Sequence, residues 1–212
     1  VKTDDLIDML GTNVEPVGKT AGRTLTLTIA GGALIAGSVV LATMGARPDL
    51  LASTSALFLC LKIGLMLLVL VPASIFLGRL ARPGGEKRVS LVLLALPFVA
   101  VAGLAIAALS ITPKSHWSAA IVDDEWLECL ISIPVIAIVP FAAIIWAVRR
   151  MAPTDLVRAG AVSGLVAGCL SALGYALHCT GDSIPFIAIW YGGTVVLCTL
   201  AGALLGPRLL RW

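Results

Sequence analysis

Six long apolar runs dominate this chain, and each is about as long as a bilayer's hydrocarbon core is thick. They cover roughly Thr24–Met44, Ser55–Leu80, Ser90–Ile111, Trp126–Val148, Ala159–Leu177 and Ile184–Leu205. A helix needs about 20 apolar residues to cross the hydrocarbon. Lipid offers the backbone no water to bond to, so runs of this kind have to be helical. Only 13% of the residues are charged, against about 25% in a soluble domain, too few to cover so much apolar surface. The expected fold is an all-α integral membrane protein, a six-transmembrane-helix bundle. Pro72, Pro97, Pro134 and Pro140 fall inside runs and predict kinks, which membrane helices tolerate. The first run comes after a polar, mostly acidic arm and has no small-residue cleavage site behind it. It therefore reads as a span and not as a cleaved leader.

Orientation is set by the cations. Twelve of the fifteen fall in one alternate set of polar segments: Lys2, Lys19, Arg23, Arg79, Arg82, Lys87, Arg88, Arg149, Arg150, Arg158, Arg208 and Arg211. The other set holds only Arg47 and Lys114, and Lys62 lies within a run. By the positive-inside rule both termini are cytoplasmic, and segments 45–54, 112–125 and 178–183 face outward. The expected division is a cytoplasmic arm at 1–23, a transmembrane domain at 24–206 and a cytoplasmic tail at 207–212. Trp117, Trp126 and Trp190-Tyr191 suit an outer aromatic belt, and Trp146 and Trp212 an inner one.

Small residues predict where helices touch. Gly160, Gly164, Gly168, Ala172 and Ala176 recur every four positions along the fifth run, with Gly202 and Gly206 near the end of the sixth. Such a stripe lets a neighbouring backbone come close, which makes the fifth helix the expected centre of the bundle.

Two polar breaks carry the reactive side chains. One, Tyr175 to Pro185, contains His178, Cys179 and Asp182; the other, His116 to Cys129, holds a second His, a second Cys and four carboxylates. Cys60, Cys169 and Cys198 sit well inside runs, where a thiol acts as a small hydrophobe. Cys129 and Cys179 instead lie at the outer ends of helices four and five. They can form a disulfide or a working thiol pair if those helices adjoin, or be two unrelated interfacial residues. His116, Asp123, Asp124, Glu125, Glu128, His178 and Asp182 surround the thiols, and His116, His178 and Asp182 above all are candidate ligands for a transient thiophilic metal such as Zn or Cd. A solvated acidic loop explains the same composition, and no resident cofactor is indicated. Lys62 is the one charge deep in a run; its stem can snorkel outward, or its ammonium can serve a counter-ion.

The arm is the other informative piece. Thr3 before Asp4 and Asp5 resembles a helix N-cap with acids in the first turn. Leu6, Ile7, Leu10 and Val14 come next at helical spacing. Residues 1–18 hold one Lys against four acids, so an anionic lipid surface would repel them. An acidic amphipathic segment suits a groove on a basic protein, through Asp4, Asp5, Leu6, Ile7 and Leu10. A disordered tail is the plainer reading.

Taken in order, several short stretches resemble the NrsF-type membrane anti-sigma factors, negative regulators of an extracytoplasmic-function (ECF) sigma factor. They are Lys2-Thr3-Asp4-Asp5-Leu6-Ile7, Arg47-Pro48-Asp49-Leu50, Ala81-Arg82-Pro83-Gly84, Trp146 with Arg149-Arg150-Met151-Ala152-Pro153-Thr154, and Leu177-His178-Cys179 with Pro185-Phe186 and Trp190-Tyr191. The resemblance runs over nearly the whole chain and implies a regulator in the bacterial inner membrane, not an enzyme. It also implies a cytoplasmic N-terminal segment that holds the ECF sigma factor, with no direct DNA binding. Cys129 and Cys179 match two outer cysteines associated in that family with oxidants or heavy metals. Val1 stands where such a protein starts with Met, which suggests a non-standard start codon or trimming. The HxxxCxxC zinc motif of soluble redox anti-sigma factors is absent from the sequence.

Two rival classes remain on the residues alone. A membrane thiol oxidoreductase would use Cys129 and Cys179, but no close cysteine pair supports a relay. A small transporter would be built around Lys62 and the helix-breaking prolines.

Overall fold

The apolar runs fold as helices, and the polar breaks between them end those helices. The computed structural model describes Thr3 and residues 19–48, 53–85, 91–122 and 125–211. The six long helices are α1 (Lys19–Thr43), α2 (Ser53–Leu80), α3 (Leu91–Ile111), α4 (Trp126–Arg149), α5 (Leu156–Tyr175) and α6 (Ile184–Leu209). All six are long and apolar enough to cross a membrane, and among the described residues there is no strand. A 3₁₀ turn (Lys114–His116) and a short helix (Trp117–Ile121) join α3 to α4. Pro72, Pro97, Pro134 and Pro140 lie inside α2, α3 and α4. Asp155 caps α5, its carboxylate accepting the Arg158 N–H at 2.9 Å.

Burial places α5 at the centre. It packs against α1, α2, α4 and α6, and 72% of its apolar stretch is buried, against 17% for α3. Ser163 and Ser171 stay satisfied there by donating to the Ala159 and Ala167 carbonyls one turn back. The outward faces of the other helices expose large apolar side chains such as Leu34, Leu57, Val92, Ile106 and Leu204, a surface compatible with lipid and costly in water.

The small-residue stripe meets its counterpart on α6. A Cβ on Gly160 would stand 2.6 Å from the Gly206 Cα, and one on Gly206 would stand 2.5 Å from the Leu156 carbonyl oxygen. On Gly164 it would run into the Cys198 carbonyl. No side chain fits between these backbones, so glycine is required here. On another face of α5, a Cβ on Gly174 would lie 3.0 Å from the Ala36 carbonyl of α1.

The sixth run differs from expectation at its start. Ser183 caps a single turn, Ile184–Phe186, and a π-helical segment, Ile187–Tyr191, precedes the regular helix Gly192–Leu209. A π-bulge inserts one residue and rotates the side chains beyond it onto another face. Tyr191, the last residue of that segment, is fully buried, a correction to its assignment to the aromatic belt. Trp190 tilts against Trp126 with ring centroids 5.0 Å apart.

Candidate functional site: a buried charge and thiol cluster

Three connections meet at one end of the bundle. The α5–α6 connection lies in the middle and is stitched to both of the others. Arg47 in the α1–α2 connection donates its backbone N–H to the Leu177 carbonyl at 3.0 Å, and His178 Nδ1 lies 3.1 Å from the Gly45 carbonyl. From the α3–α4 side, Glu125 accepts from the Thr180 N–H at 2.8 Å and from its hydroxyl at 2.6 Å. Ser183 Oγ donates to the Ala120 carbonyl, and the Trp190 indole N–H to the Ile121 carbonyl.

Inside this stitching lies an ion-pair triad. The Arg47 guanidinium grips Asp182 with both ends of its fork, Nη2 to Oδ2 at 2.7 Å and Nη1 to Oδ1 at 3.1 Å. Lys62, on α2, reaches the same carboxylate at 3.1 Å. Its side chain is 0% exposed, against 19% for Asp182. A buried ammonium is sustained only where counter-charge and acceptors surround it. Lys62 therefore points into the protein and does not snorkel to its surface.

The Lys62 ammonium has three hydrogens and finds three partners: Asp182 Oδ1 at 3.1 Å, the Cys179 carbonyl at 3.1 Å and Cys179 Sγ at 3.7 Å. Cys179 lies just past the last turn of α5, its N–H bonded to the Tyr175 carbonyl, and is fully buried. Cys129, one turn into α4, is also fully buried, and its thiol lies within electrostatic reach of Cys179 and Lys62. All five cysteines are unpaired thiols in this structure.

Tyr175 and Tyr191 complete the cluster. They are the only two tyrosines of the chain, both fully buried, with ring centroids 6.1 Å apart. The Lys62 ammonium sits 5.5 Å from the Tyr191 ring centroid. Neither hydroxyl has a hydrogen-bond partner among the described residues. The Tyr191 hydroxyl lies near enough to the Cys179 thiol to favour its charged form, but it does not reach good hydrogen-bonding geometry. Burial pushes the Cys179 thiol above its ordinary range, with Lys62 the leading influence in the opposite direction.

Among the residues singled out from the sequence, Cys129, Cys179, Lys62 and Asp182 are brought together. His178 lies at the margin, its Nε2 4.0 Å from Glu128 and its ring beside Tyr175. His116 stays apart in the α3–α4 connection, exposed and paired with Ser115. Among the described residues, no three His, Cys, Asp or Glu side chains stand close enough to share a metal ion, so His116, His178 and Asp182 do not assemble as a ligand set. Asp4, Asp5, Leu6, Ile7 and Leu10 lie outside the described residues. Sequence reasoning did not single out Arg47, Tyr175 or Tyr191 as site residues, and it took Glu125 for a candidate metal ligand where the structure gives it the tie to Thr180. Tyr175 opens the polar break and was the available signal, whereas Tyr191 lies inside the sixth apolar run with nothing local to mark it.

These features define a helical bundle whose six long helices are apolar enough to cross a membrane, with a buried ion-pair and thiol cluster where three of its connections converge. The chain belongs to the NrsF family, described as negative regulator of sigma F, whose model matches residues 10–212. It is 30% identical over 213 residues to a protein of Azospira oryzae named probable anti-sigma-F factor NrsF, covering the whole of both chains. It is 33% identical over 217 residues to the anti-sigma-F factor NrsF of Caulobacter vibrioides, again over the whole of both. No solved structure matches the chain.

Proposed function

We propose that this protein is a membrane-embedded anti-sigma factor that holds an ECF sigma factor at the inner membrane and releases it when Cys129 and Cys179 react. Family membership and the names of both relatives support the regulatory role. The observation that carries the sensing part is the burial of both thiols, one on α4 and one in the α5–α6 connection, in one charged cluster at one end of the bundle. Both termini are cytoplasmic in this reading, from the twelve-to-two division of cations. The cluster then faces outward, where oxidants and thiophilic ions such as Zn or Cd arrive. Residues 1–23 lie on the opposite side, and their acids and the stripe Leu6, Ile7 and Leu10 engage a basic, apolar surface of the sigma factor.

A bridge or a captured metal joins α4 to the α5–α6 connection and changes how those helices pack. Packed interfaces have discrete arrangements, so a local change there is passed along whole helices. Moving a partner from 99% bound to 1% bound needs about 5.5 kcal/mol. One rearranged contact layer supplies less, so partial release is the expected output.

The test is capture of the sigma factor by the full chain in membranes, with and without residues 2–15, repeated after peroxide or cadmium. Removing the arm abolishes capture, and either reagent lowers it in the intact chain but not after Cys129→Ser with Cys179→Ser. Capture that persists without the arm rules out its role. A response that survives both serines rules out thiol sensing.

A further inference from the structure

The two thiols of this cluster are not equivalent. Only Cys179 touches the Lys62 ammonium, which spends one of its three hydrogens on Sγ at 3.7 Å. A neutral thiol is a weak acceptor and a thiolate a strong one, so this contact becomes stronger once the sulfur ionises. Lys62 cannot turn elsewhere easily, because Asp182 and the Cys179 carbonyl hold its other two hydrogens at 3.1 Å. Beside the thiol pair stand the Tyr175 and Tyr191 hydroxyls, buried donors with no acceptor among the described residues. An oxygen added to sulfur here would be the acceptor they lack.

We propose that Cys179 is the thiol attacked first by hydroperoxides, that Lys62 positions and stabilises its thiolate, and that Cys129 is the resolving thiol. The inference rests on the thiol-sensing reading above and assigns the order of events within it. In the first step the Cys179 thiolate attacks the distal oxygen of the hydroperoxide and displaces the remainder as alkoxide or hydroxide. An S–O bond forms and the O–O bond breaks. Sulfur is oxidised by two electrons to the sulfenic acid, and the peroxide leaves as an alcohol or water carrying the former thiol proton. In the second step the Cys129 sulfur attacks that sulfenic acid. The disulfide forms and the hydroxyl leaves as water with the Cys129 proton.

The same geometry explains why the resting protein is quiet. Burial is the leading influence holding the Cys179 thiol protonated, and Lys62 is the leading influence against it. The neighbouring Thr180 is exposed, so the thiol lies just beneath the surface, under a strap held by Glu125 and Arg47. When that strap lifts, water removes the first influence while Lys62 retains the second. The charged and titratable groups around the thiol are Lys62 from α2, Arg47 from the α1–α2 connection, Glu125 from the α3–α4 connection and Cys129 from α4, with Glu128 of α4 further out beside His178 and Tyr175. Tyr175 and Tyr191 face it from α5 and α6, and His178 and Asp182 from its own connection.

The experiment uses the full chain in lipid vesicles, dilute hydrogen peroxide as the probe and dimedone as the sulfenic-acid trap. Peptide mass spectrometry reads Cys129 and Cys179 separately. Cys129→Ser accumulates trapped sulfenic acid at Cys179, whereas Cys179→Ser gives at least about tenfold less at Cys129. Lys62→Met slows oxidation of Cys179 by about tenfold and moves its pH profile upward by about one unit. Lys62→Arg restores much of the rate, which a purely structural lysine would not require. Comparable trapping at Cys129 in Cys179→Ser overturns the order, and an unchanged rate and pH profile in Lys62→Met overturns the lysine's role. In both of those cases the thiols still react, so the sensing reading stands. If neither thiol is modified by peroxide in the wild-type chain, this order of oxidation fails, and oxidant sensing fails with it.

Discussion

The seam between α5 and α6 and the cluster beyond the end of α5 hold the same helices by opposite means. Along the seam the contact is backbone against backbone: Gly160 and Gly164 face Gly202, Gly206 and the Cys198 carbonyl, with no room for a side chain. At the cluster the contact is made by long charged side chains, Arg47 and Lys62 converging on Asp182. A glycine seam has no alternative rotamers, so it has one arrangement and keeps α5 and α6 together. A charged cluster is held by a few bonds that solvation, protonation or oxidation can exchange. The difference suggests that α5 and α6 move as one body, driven from the end where the contacts are exchangeable.

The seam is the part most easily broken. Gly202→Leu drives a side chain into the Gly160 carbonyl and the Gly164 backbone, which lies 3.0 Å from where a Cβ would sit. Overpacking against rigid backbone costs about 3 kcal/mol or more, and the expected result is loss of the folded protein from detergent extracts. Gly31→Ala is the control: nothing lies within 4 Å of its added carbon, and alanine in a helix gains up to about 1 kcal/mol. A thermal scan of both variants checks this, and equal losses would show that glycine content, not the seam, sets stability.

At the cluster the largest effect comes from its single shared anion. Asp182→Asn leaves Arg47 and Lys62 sharing no carboxylate in a site where both are almost fully buried. Removing one partner of a buried pair costs about 3–5 kcal/mol, and the partial exposure of Asp182 reduces this to about 2–3 kcal/mol. Adding Lys62→Met removes one stranded charge, so the double variant should recover part of the loss in a denaturation cycle. Simple additivity would mean that Lys62 and Asp182 are not coupled.

The difference between seam and cluster also decides what the sequence discloses. Run lengths specify six helices, because about 20 unbroken apolar residues are what a helix needs to cross hydrocarbon. A four-residue spacing of Gly160, Gly164 and Gly168 specifies a face, because helical periodicity is local. Nothing local, however, tells Lys62 to reach a carboxylate 120 positions away when snorkelling outward is equally open to its stem. The π segment at Ile187–Tyr191 is likewise silent, since one inserted residue leaves the composition of a continuous apolar run unchanged. That Tyr191, its last residue, is buried beside Cys179 emerges only in the folded chain. His116 and His178 looked alike as candidate ligands. Their separation is set by how the α3–α4 connection folds, which no spacing rule constrains.

The finest test of the contrast concerns the strap over the cluster, where the expected effect is smallest. Glu125 accepts from both the Thr180 N–H and its hydroxyl, at 2.8 and 2.6 Å, and so ties α4 to the connection that covers Cys179. Glu125→Gln keeps an acceptor oxygen but loses the charge and one of the two acceptors. Losing one such bond at a partly exposed site costs about 1 kcal/mol, which is about fivefold in the population of opened strap. Maleimide labelling of Cys179 in the folded chain should therefore rise about fivefold, while the melting temperature, set by the seam and the triad, barely moves. Labelling of Cys198, packed along the seam against Gly168, should not change, because opening one end of the bundle leaves the α5–α6 contact closed. A parallel rise at Cys198 would mean that seam and strap open as a single unit, and that the cluster has no independent motion through which to signal.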